Sequence, residues 1–297
     1  MSPQKGKGTG ESKLSNVKQV LNHFQLAPHK RWGQNFLTDN NIARKIVEEC
    51  HLNAEDYVVE IGPGLGALTP LLARKCRKLL AIEIDRGMER PLREALNGID
   101  NATLLFADVL SIDMEAEIKK TFNLEELSSF KVCGNIPYNI TSPIIFYLLE
   151  SCPHLAQAVL MLQKEVAERL KAQPGSKDYG LLTLSTRYHC DVEYITTVSK
   201  HCFYPQPEVE SAVISLKPIA GKRIQVGSEF QLFSFMRVCF QKRRKTILNI
   251  SSSHFRLEKE EAARALQGLG ISPQARPENL VLDQFAQIVE SFAPQEV

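Results

Sequence analysis

Four consecutive residues, Asn135-Ile136-Pro137-Tyr138, have the groups needed to activate an aromatic amine. The exocyclic amine of adenine is a weak nucleophile because its lone pair is delocalised into the ring. The side-chain oxygen of Asn135 and the backbone carbonyl of Ile136, held in place by Pro137, could accept its N–H hydrogens and withdraw the lone pair from conjugation. Tyr138 offers an aromatic face for an unstacked base. The segment indicates chemistry on adenine, and a proline turn that ends a strand is the alternative.

A glycine-rich segment at residues 60–66, Glu-Ile-Gly-Pro-Gly-Leu-Gly, predicts a loop that approaches a ligand closely. Its G-x-G-x-G spacing differs from the G-x-G-x-x-G pattern that binds a pyrophosphate. Glu83 follows Gly62 by 21 residues, where a carboxylate can bind both hydroxyls of a ribose, and Asp108 could accept a hydrogen bond from an adenine amine. The pattern indicates adenosine bound without phosphates, as in S-adenosylmethionine, whereas strand-end capping is the alternative for the acids.

These residues need parallel strands whose carboxyl ends lie side by side. β-rich runs at 57–61, 79–84, 102–106 and 130–133 alternate with helical patterns at 41–50, 68–76 and 91–96. Further alternating segments reach residue 216, and they predict an α/β fold with a mostly parallel sheet covered on both faces. From residue 230 onward a helical periodicity continues, which predicts a small all-helical C-terminal domain. Its apolar face contains Phe230, Phe233, Met236, Phe240 and Ile247.

Composition and charge limit the class of protein. Hydrophobic residues make up 43% of the 297 residues, no apolar run is long enough to span a membrane, and no secretory signal is apparent, so we expect a cytoplasmic protein. The seven cysteines form no C-x-x-C pair, and no metal site is expected. Residues 1–36 have six Lys/Arg against one acidic residue, residues 218–297 eleven against eight, and the middle nineteen against twenty-five. Positive ends around a negative middle suggest a polyanionic partner, and a disordered Lys-rich tail together with an ordinary solvated face is the alternative.

Taken together, the motifs resemble those of the ribosomal RNA adenine dimethyltransferases, and among these the bacterial small-subunit, or kasugamycin-resistance, enzymes. The resemblance runs from about residue 25 to the C-terminus and implies a Rossmann-like S-adenosylmethionine-dependent methyltransferase domain at 25–218 and a helical RNA-docking domain at 219–297. Residues 1–24 are expected to form a flexible extension. The matching segments are 33–37, 60–66 with 68–69, 82–86, 135–140, 203–207 with 209–213, and 240–246.

The resemblance also implies roles for single residues. Asn35 and Leu37 would close over the cofactor, which Asn135 also borders, and Phe203 would stack on the second face of the target adenine. A basic run that continues an amphipathic helix would contact RNA phosphates. The run is Lys242, Arg243, Arg244 and Lys245, with Arg237 further back on the same helix. The implied substrate is small-subunit (16S) ribosomal RNA in a pre-ribosomal particle, with two adjacent adenosines near its 3′ end modified by a monomeric enzyme.

Two alternatives stay open on the sequence. The erythromycin-resistance enzymes modify large-subunit RNA with the same core motifs, although Thr141-Ser142-Pro143 and the run at 240–246 favour the small-subunit enzymes. A non-catalytic ribosome-assembly or transcription factor with this fold is a rival of a different class. The presence of Gly62, Glu83, Asp108 and Asn135 argues against it.

Overall fold

A seven-stranded β-sheet is the main sheet of the protein, whose structure, a computed structural model, describes residues 17–292. The strands in this part of the chain are β1 (Phe36–Leu37), β2 (Tyr57–Ile61), β3 (Lys78–Glu83), β4 (Ala102–Phe106), β5 (Phe130–Asn135), β6 (Leu155–Gln163), β7 (Cys190–Val198), β8 (Phe203–Tyr204) and β9 (Ser211–Pro218). Seven of them form one sheet in the order β4-β3-β2-β5-β6-β9-β7, and β1 pairs antiparallel with β8. The α/β class predicted from the sequence is confirmed.

The register of the parallel strands aligns their carboxyl ends. Strand β2 pairs in parallel with both β3 and β5, so that Ile61 lies opposite Ile82 on one side and opposite Gly134 on the other. β4 extends the parallel sheet beyond β3, and β6 extends it beyond β5. The strand order therefore reverses at β2: β3 and β4 lie on one side of it, and β5 and β6 lie on the other. Ligands of open α/β sheets bind at such a point.

Buried apolar runs explain why these segments become strands. Val58, Val59 and Ile61 are all buried in β2, as expected for a parallel strand covered on both faces. Helix α2 packs against the sheet through Ile46 and Val47, which lie in the same hydrophobic cluster as Val58. Burial on both faces fixes the strand register and thereby the positions of the residues that follow each strand.

The helices of residues 17–292 flank the sheet or follow it in the chain. They are α1 (Val17–His23), α2 (Asn40–Glu49), α3 (Thr69–Ala73), α4 (Glu89–Ala95), α5 (Met114–Phe122), α6 (Thr141–Ser151), α7 (Lys164–Leu170), α8 (Leu181–His189), α9 (Glu229–Gln241), α10 (Ile247–Phe255), α11 (Lys259–Gly268) and α12 (Leu282–Phe292). Within this part of the chain, each helix is too short or too polar to cross a lipid bilayer.

The N-terminal segment differs from the flexible extension predicted over residues 1–24. Residues 1–16 lie outside the described part of the chain, but residues 17–23 form α1. Val17, Val20 and Leu21 are buried in a hydrophobic cluster with Phe36. Their spacing of three and four residues gives one apolar helical face, so the last part of the predicted extension is an ordered helix.

Residues 17–292 divide into two compact units. The first consists of the described residues up to 144 together with 154–163 and 195–215; the second consists of 145–153, 164–194 and the described residues from 216 onward. The second unit has its own hydrophobic core, which includes Leu184, Tyr188, Phe235, Ile250 and Phe285. Because Leu184 and Tyr188 belong to α8, this unit is larger than the helical domain predicted from residue 219 onward.

Candidate active site

The carboxyl ends of four neighbouring strands surround a cavity of about 200 Å³ in the first unit. Residues that follow β2, β3, β4 and β5 line it, and the segment 31–36 closes a further side. Among the residues singled out from the sequence, Asn35, Gly62, Glu83, Asp108 and Asn135 all lie in its wall. The structure therefore brings together five residues separated by as much as 100 positions in the chain.

The loop after β2 is shaped by glycines that no other residue type would replace without strain. Gly62 and Gly66 have φ angles of +68° and +85°, in the left-handed region. A Cβ on Gly66 would also lie 2.9 Å from the Cβ of Ala95, closer than real carbon contacts. The Gly62 N–H donates to the carbonyl of Ile82 at 2.9 Å, which ties the loop to the end of β3.

Glu83 has a structural task in addition to lining the cavity. Its Oε2 accepts a hydrogen bond from the Gly64 N–H at 2.9 Å, and its Oε1 accepts one from the Asp85 N–H at the same distance. The side chain is buried, with 6% of the residue exposed, and this burial raises its pKa above the ordinary value despite the two hydrogen bonds. Each carboxylate oxygen has a second lone pair, so Glu83 can hold the glycine loop and still accept from a ligand.

Asp108 serves as the strand-end cap that the sequence left open as an alternative, and it also lines the cavity. Its Oδ1 accepts a hydrogen bond from the Leu110 N–H at 3.0 Å and so begins the short 3-10 helix at Val109–Ser111. The cap fixes the carboxylate at the edge of the cavity, so the two interpretations of Asp108 are compatible.

The amide of Asn135 is held in a defined orientation. Its Nδ2 donates to the backbone carbonyl of Asn35 at 2.9 Å, which links β5 to the segment that precedes β1. With Nδ2 engaged, Oδ1 is the atom available to accept from a ligand. The next residue, Ile136, donates its N–H to the carbonyl of Met161 at 2.8 Å, and its own side chain is buried. These two bonds fix the start of the Asn-Ile-Pro-Tyr segment.

Pro137 and Tyr138 also line the cavity. The hydroxyl of Tyr138 lies 2.6 Å from the Ser211 hydroxyl, and either oxygen can be the donor. Burial raises the pKa of Tyr138, so the phenol stays protonated at neutral pH and its ring is a neutral aromatic face. The hydrogen bond to Ser211 restrains the orientation of that ring.

Phe203 and Leu37 do not line this cavity with the other predicted site residues. The pairing of β1 with β8 sets Leu37 opposite Phe203, and both side chains belong to the hydrophobic cluster that contains Val213. Phe203 is only 4% exposed and does not line the cavity, so in this structure it presents no face to a base. Because alternate residues of a strand point to opposite faces, Tyr204 packs instead in the cluster of Phe36. Stacking of Phe203 on the target adenine therefore stays a prediction.

Arg31, Trp32 and Gln34 also line the cavity, although the sequence predicted no individual role for them. The Gln34 amide donates to Asp85 at 2.8 Å, and the Arg31 guanidinium lies 4.5 Å from the centre of the Trp32 ring. The indole Nε1 is buried and has no hydrogen-bond partner within residues 17–292. Trp32 is the only tryptophan of the chain and directly precedes the motif that begins at Gly33, which was the available signal.

The basic run has a different local structure from the one predicted. Helix α9 ends at Gln241, and the Lys242 N–H closes the last turn by donating to the carbonyls of Val238 and Cys239. Residues 242–245 form an exposed turn, and Thr246 caps the start of α10. The run therefore does not continue the helix. Arg237, by contrast, lies within α9 and forms an ion pair with Glu150 at 3.2 Å.

Potential metal ligands are not clustered in the described part of the chain. Within residues 17–292, no three His, Cys, Asp or Glu side chains come together in a way that could hold a metal ion.

Comparisons with known proteins identify the family of this chain. A family model described as ribosomal RNA adenine dimethylase matches residues 26–294. Two relatives are called ribosomal RNA small subunit methyltransferase A: the one from Moorella thermoacetica is 43% identical and covers 89% of this chain and 92% of its own, and the one from Geobacillus thermodenitrificans is 40% identical and covers 94% and 95%.

Solved structures show the same fold. A dimethyladenosine transferase from Plasmodium falciparum is 26% identical with a TM-score of 0.70, and it covers 86% of this chain and 96% of its own. The 23S rRNA methyltransferase ErmE is 27% identical with a TM-score of 0.63, and it covers 87% and 99%. The family model spans nearly all of the described residues, including every residue that lines the cavity. The chain belongs to the ribosomal RNA adenine dimethylase family of methyltransferases.

Proposed function

We propose that the protein dimethylates the exocyclic amines of two adjacent adenosines near the 3′ end of small-subunit ribosomal RNA, with S-adenosylmethionine as methyl donor. The observation that carries the proposal is the Asn135 amide, fixed by its bond to the Asn35 carbonyl with Oδ1 free at the cavity. An acceptor of this kind, set beside Tyr138, suits an amine that must be turned out of conjugation. We propose further that the enzyme acts as a cytoplasmic monomer on a pre-ribosomal particle and contributes to small-subunit biogenesis.

The lining of the cavity fits the adenosine part of such a cofactor. Glu83 has lone pairs for the ribose hydroxyls, and Asp108 could accept from the adenine amine. The buried Nε1–H of Trp32 is an unsatisfied donor in the same wall, and a ligand acceptor would remove the cost of its burial. Asn35 and Gly62 would lie along the remainder of the cofactor, and Leu37 would support them from the adjoining cluster.

Positioning and hydrogen-bond acceptance account for most of the proposed catalysis. When bound, S-adenosylmethionine supplies an electrophilic methyl group on its sulfonium. Asn135 Oδ1 and the carbonyl of Ile136 accept the two amine hydrogens, so that the nitrogen lone pair points out of the base plane, and Tyr138 supports the base. The methyl–sulfur bond would break as the nitrogen–methyl bond forms, leaving the thioether S-adenosylhomocysteine. The methylated nitrogen would then be acidic and lose its proton to water, so no strong general base is required.

The choice of small-subunit over large-subunit RNA is supported by the similarity values. The relatives named for the small subunit are 40% and 43% identical, whereas ErmE, named for 23S RNA, is 27% identical. The test is transfer of labelled methyl groups to unmethylated small and large subunits side by side. We expect label in small-subunit adenosines, up to two methyl groups per base. Label in large-subunit RNA alone, or in neither, would contradict the proposal.

We predict that Glu83→Gln weakens S-adenosylmethionine binding at least tenfold. Charge-assisted hydrogen bonds contribute about 1.5–3 kcal/mol each, and about 1.4 kcal/mol corresponds to a factor of ten. Calorimetry would measure the dissociation constant. The matched control is Glu94→Gln, which removes the same charge from an exposed position outside the cavity. Unchanged affinity in both variants would remove Glu83 from the cofactor site.

We predict that the exposed turn at 242–245 contributes RNA affinity. Arg243 also donates to the Lys177 carbonyl at 3.1 Å and lies 3.9 Å from the Glu278 carboxylate, so we expect less from it than from its three neighbours. Replacing Lys242, Arg243, Arg244 and Lys245 together by Ala should weaken small-subunit binding and flatten its salt dependence. The slope of the logarithm of the binding constant against the logarithm of the salt concentration should fall in magnitude by about 0.7–0.9 for each phosphate that the variant no longer neutralises. Arg237 would contribute less, because Glu150 already neutralises its charge.

The control for this prediction is a variant that lacks Lys171, Lys259 and Arg264, three exposed cations of the same unit. Filter binding over a salt series would compare the two variants per charge removed, and cofactor affinity should be unchanged in both. A full salt slope in the turn variant would show that these four residues are only solvated surface.

A further inference from the structure

A second cavity of about 490 Å³ adjoins the glycine loop in the first unit. Helices α1, α2 and α3 each contribute to its wall. Phe36, Gly62, Gly64 and Asn135 line both cavities. A group bound in the second cavity would therefore lie next to the residue that we propose activates the target amine.

The rim of this cavity is positively charged. Its exposed polar lining consists of Thr38, Asn40, Arg44 and Arg74. Neither guanidinium makes an ion pair or a hydrogen bond within residues 17–292, although most other arginines of the first unit have a carboxylate or an aromatic ring beside them. Two unpaired cations at one opening create a local positive potential that attracts anions.

The floor of the cavity contains a buried carboxyl group without a complete set of partners. Glu60 is 1% exposed, and its Oε2 has no hydrogen-bond partner in the described part of the chain. Burial raises the pKa of Glu60 to about 8, so the group is mostly protonated at neutral pH. A neutral carboxyl group can donate its O–H to an anion and does not repel it. Glu60 is the only acidic residue that lines this cavity within residues 17–292.

We propose that the second cavity binds a phosphate group of the substrate RNA strand next to the target nucleotide. Arginine side chains match phosphate geometry through paired N–H donors. Arg44 and Arg74 are exposed. They therefore suit an RNA strand that passes over the rim and stays partly solvated better than a small molecule that is wholly enclosed. The volume is within the range of nucleotide-sized ligand sites. This inference rests on the proposed function, because it takes RNA as the substrate.

The test is the double variant Arg44→Ala/Arg74→Ala, measured by filter binding to unmethylated small subunits over a salt series, without cofactor. We expect affinity to fall about tenfold at low salt and the salt slope to fall by about 0.7–0.9 for each phosphate that the variant no longer binds. Calorimetry should show S-adenosylmethionine affinity unchanged within a factor of about two. The control, Lys75→Ala/Lys119→Ala, removes two exposed cations that line neither cavity, and it should bind RNA like the unmodified protein.

The possible results separate the competing occupants. If the double variant binds RNA like the control, the phosphate site does not exist. If it loses cofactor affinity and keeps RNA affinity, the arginines bind the carboxylate of the cofactor and the inference is overturned. Failure of the proposed function would instead appear as absent methyl transfer by the unmodified protein. The RNA affinities of the double variant and the control would still show whether the phosphate site exists.

Discussion

Replacing Gly134 by alanine is expected to destabilise the protein. It is also expected to slow methyl transfer by more than the loss of folded protein alone would explain. A Cβ at this position would lie 2.5 Å from the backbone oxygen of Ile61 and 3.1 Å from the Cδ1 of Ile136. A backbone atom of a central strand cannot move aside cheaply, and overpacking of this kind costs typically about 1–3 kcal/mol. The clash would push β5 away from β2 and displace Asn135, the next residue in the chain.

Thermal unfolding and single-turnover methylation of the same samples would test this expectation. For a chain of this size, a loss of about 1 kcal/mol in the free energy of unfolding lowers the midpoint of thermal unfolding by about 2–4 °C. The matched control is Gly268→Ala, at the end of α11, where an added Cβ would meet nothing within 4 Å. That variant should unfold at or slightly above the original temperature, since alanine is the better helix former. A Gly134→Ala enzyme with unchanged midpoint and rate would show that β5 tolerates the extra carbon.

The inner strands of the parallel sheet could be predicted because they are buried on both faces. The apolar-rich runs at 57–61 and, on the partly exposed edge of the sheet, at 102–106 have the same bounds in the structure, and the glycine loop and Glu83 lie at the ends of their strands as expected. Side chains at the ends of neighbouring parallel strands meet at one edge, so the residues of the cavity wall on these strands followed from chain position alone. The spatial order of the strands did not, because periodicity contains no information about which strands pair.

Features that depend on side-chain direction or on contacts between distant segments could not be predicted. The motif around Phe203 suggested a role but not the pairing with Leu37 that turns its side chain into the hydrophobic cluster. Trp32 belongs to the wall only because the segment before β1 reaches the end of β5 through the Asn35 carbonyl. Basic residues are compatible with both a helix and a turn, so the end of α9 at Gln241 was not apparent.

Replacing Asn135 by alanine is expected to lower the single-turnover methylation rate about a hundred- to a thousandfold, the usual cost of one preorganised electrostatic interaction at a reacting centre. Without Oδ1 the target amine keeps its lone pair in conjugation and stays a weak nucleophile. RNA affinity should barely change, because we propose that the exposed turn at 242–245 supplies much of the docking charge. Cofactor affinity should fall modestly, since Asn135 lines the cavity that we propose binds the cofactor. Saturating cofactor in the assay therefore separates chemistry from binding.

Two further variants distinguish an acceptor from a structural asparagine. Asn135→Asp keeps the shape and an acceptor oxygen but sets a carboxylate oxygen against the Asn35 carbonyl, where Nδ2 now donates at 2.9 Å. If orientation of the acceptor matters, this variant should also be slow, despite its nearly identical volume. Asn97→Ala, at an exposed loop position, should methylate at the original rate. A fast Asn135→Ala enzyme would mean that this residue only shapes the end of β5, and the activation of adenine would then have to come from the backbone carbonyl of Ile136 alone.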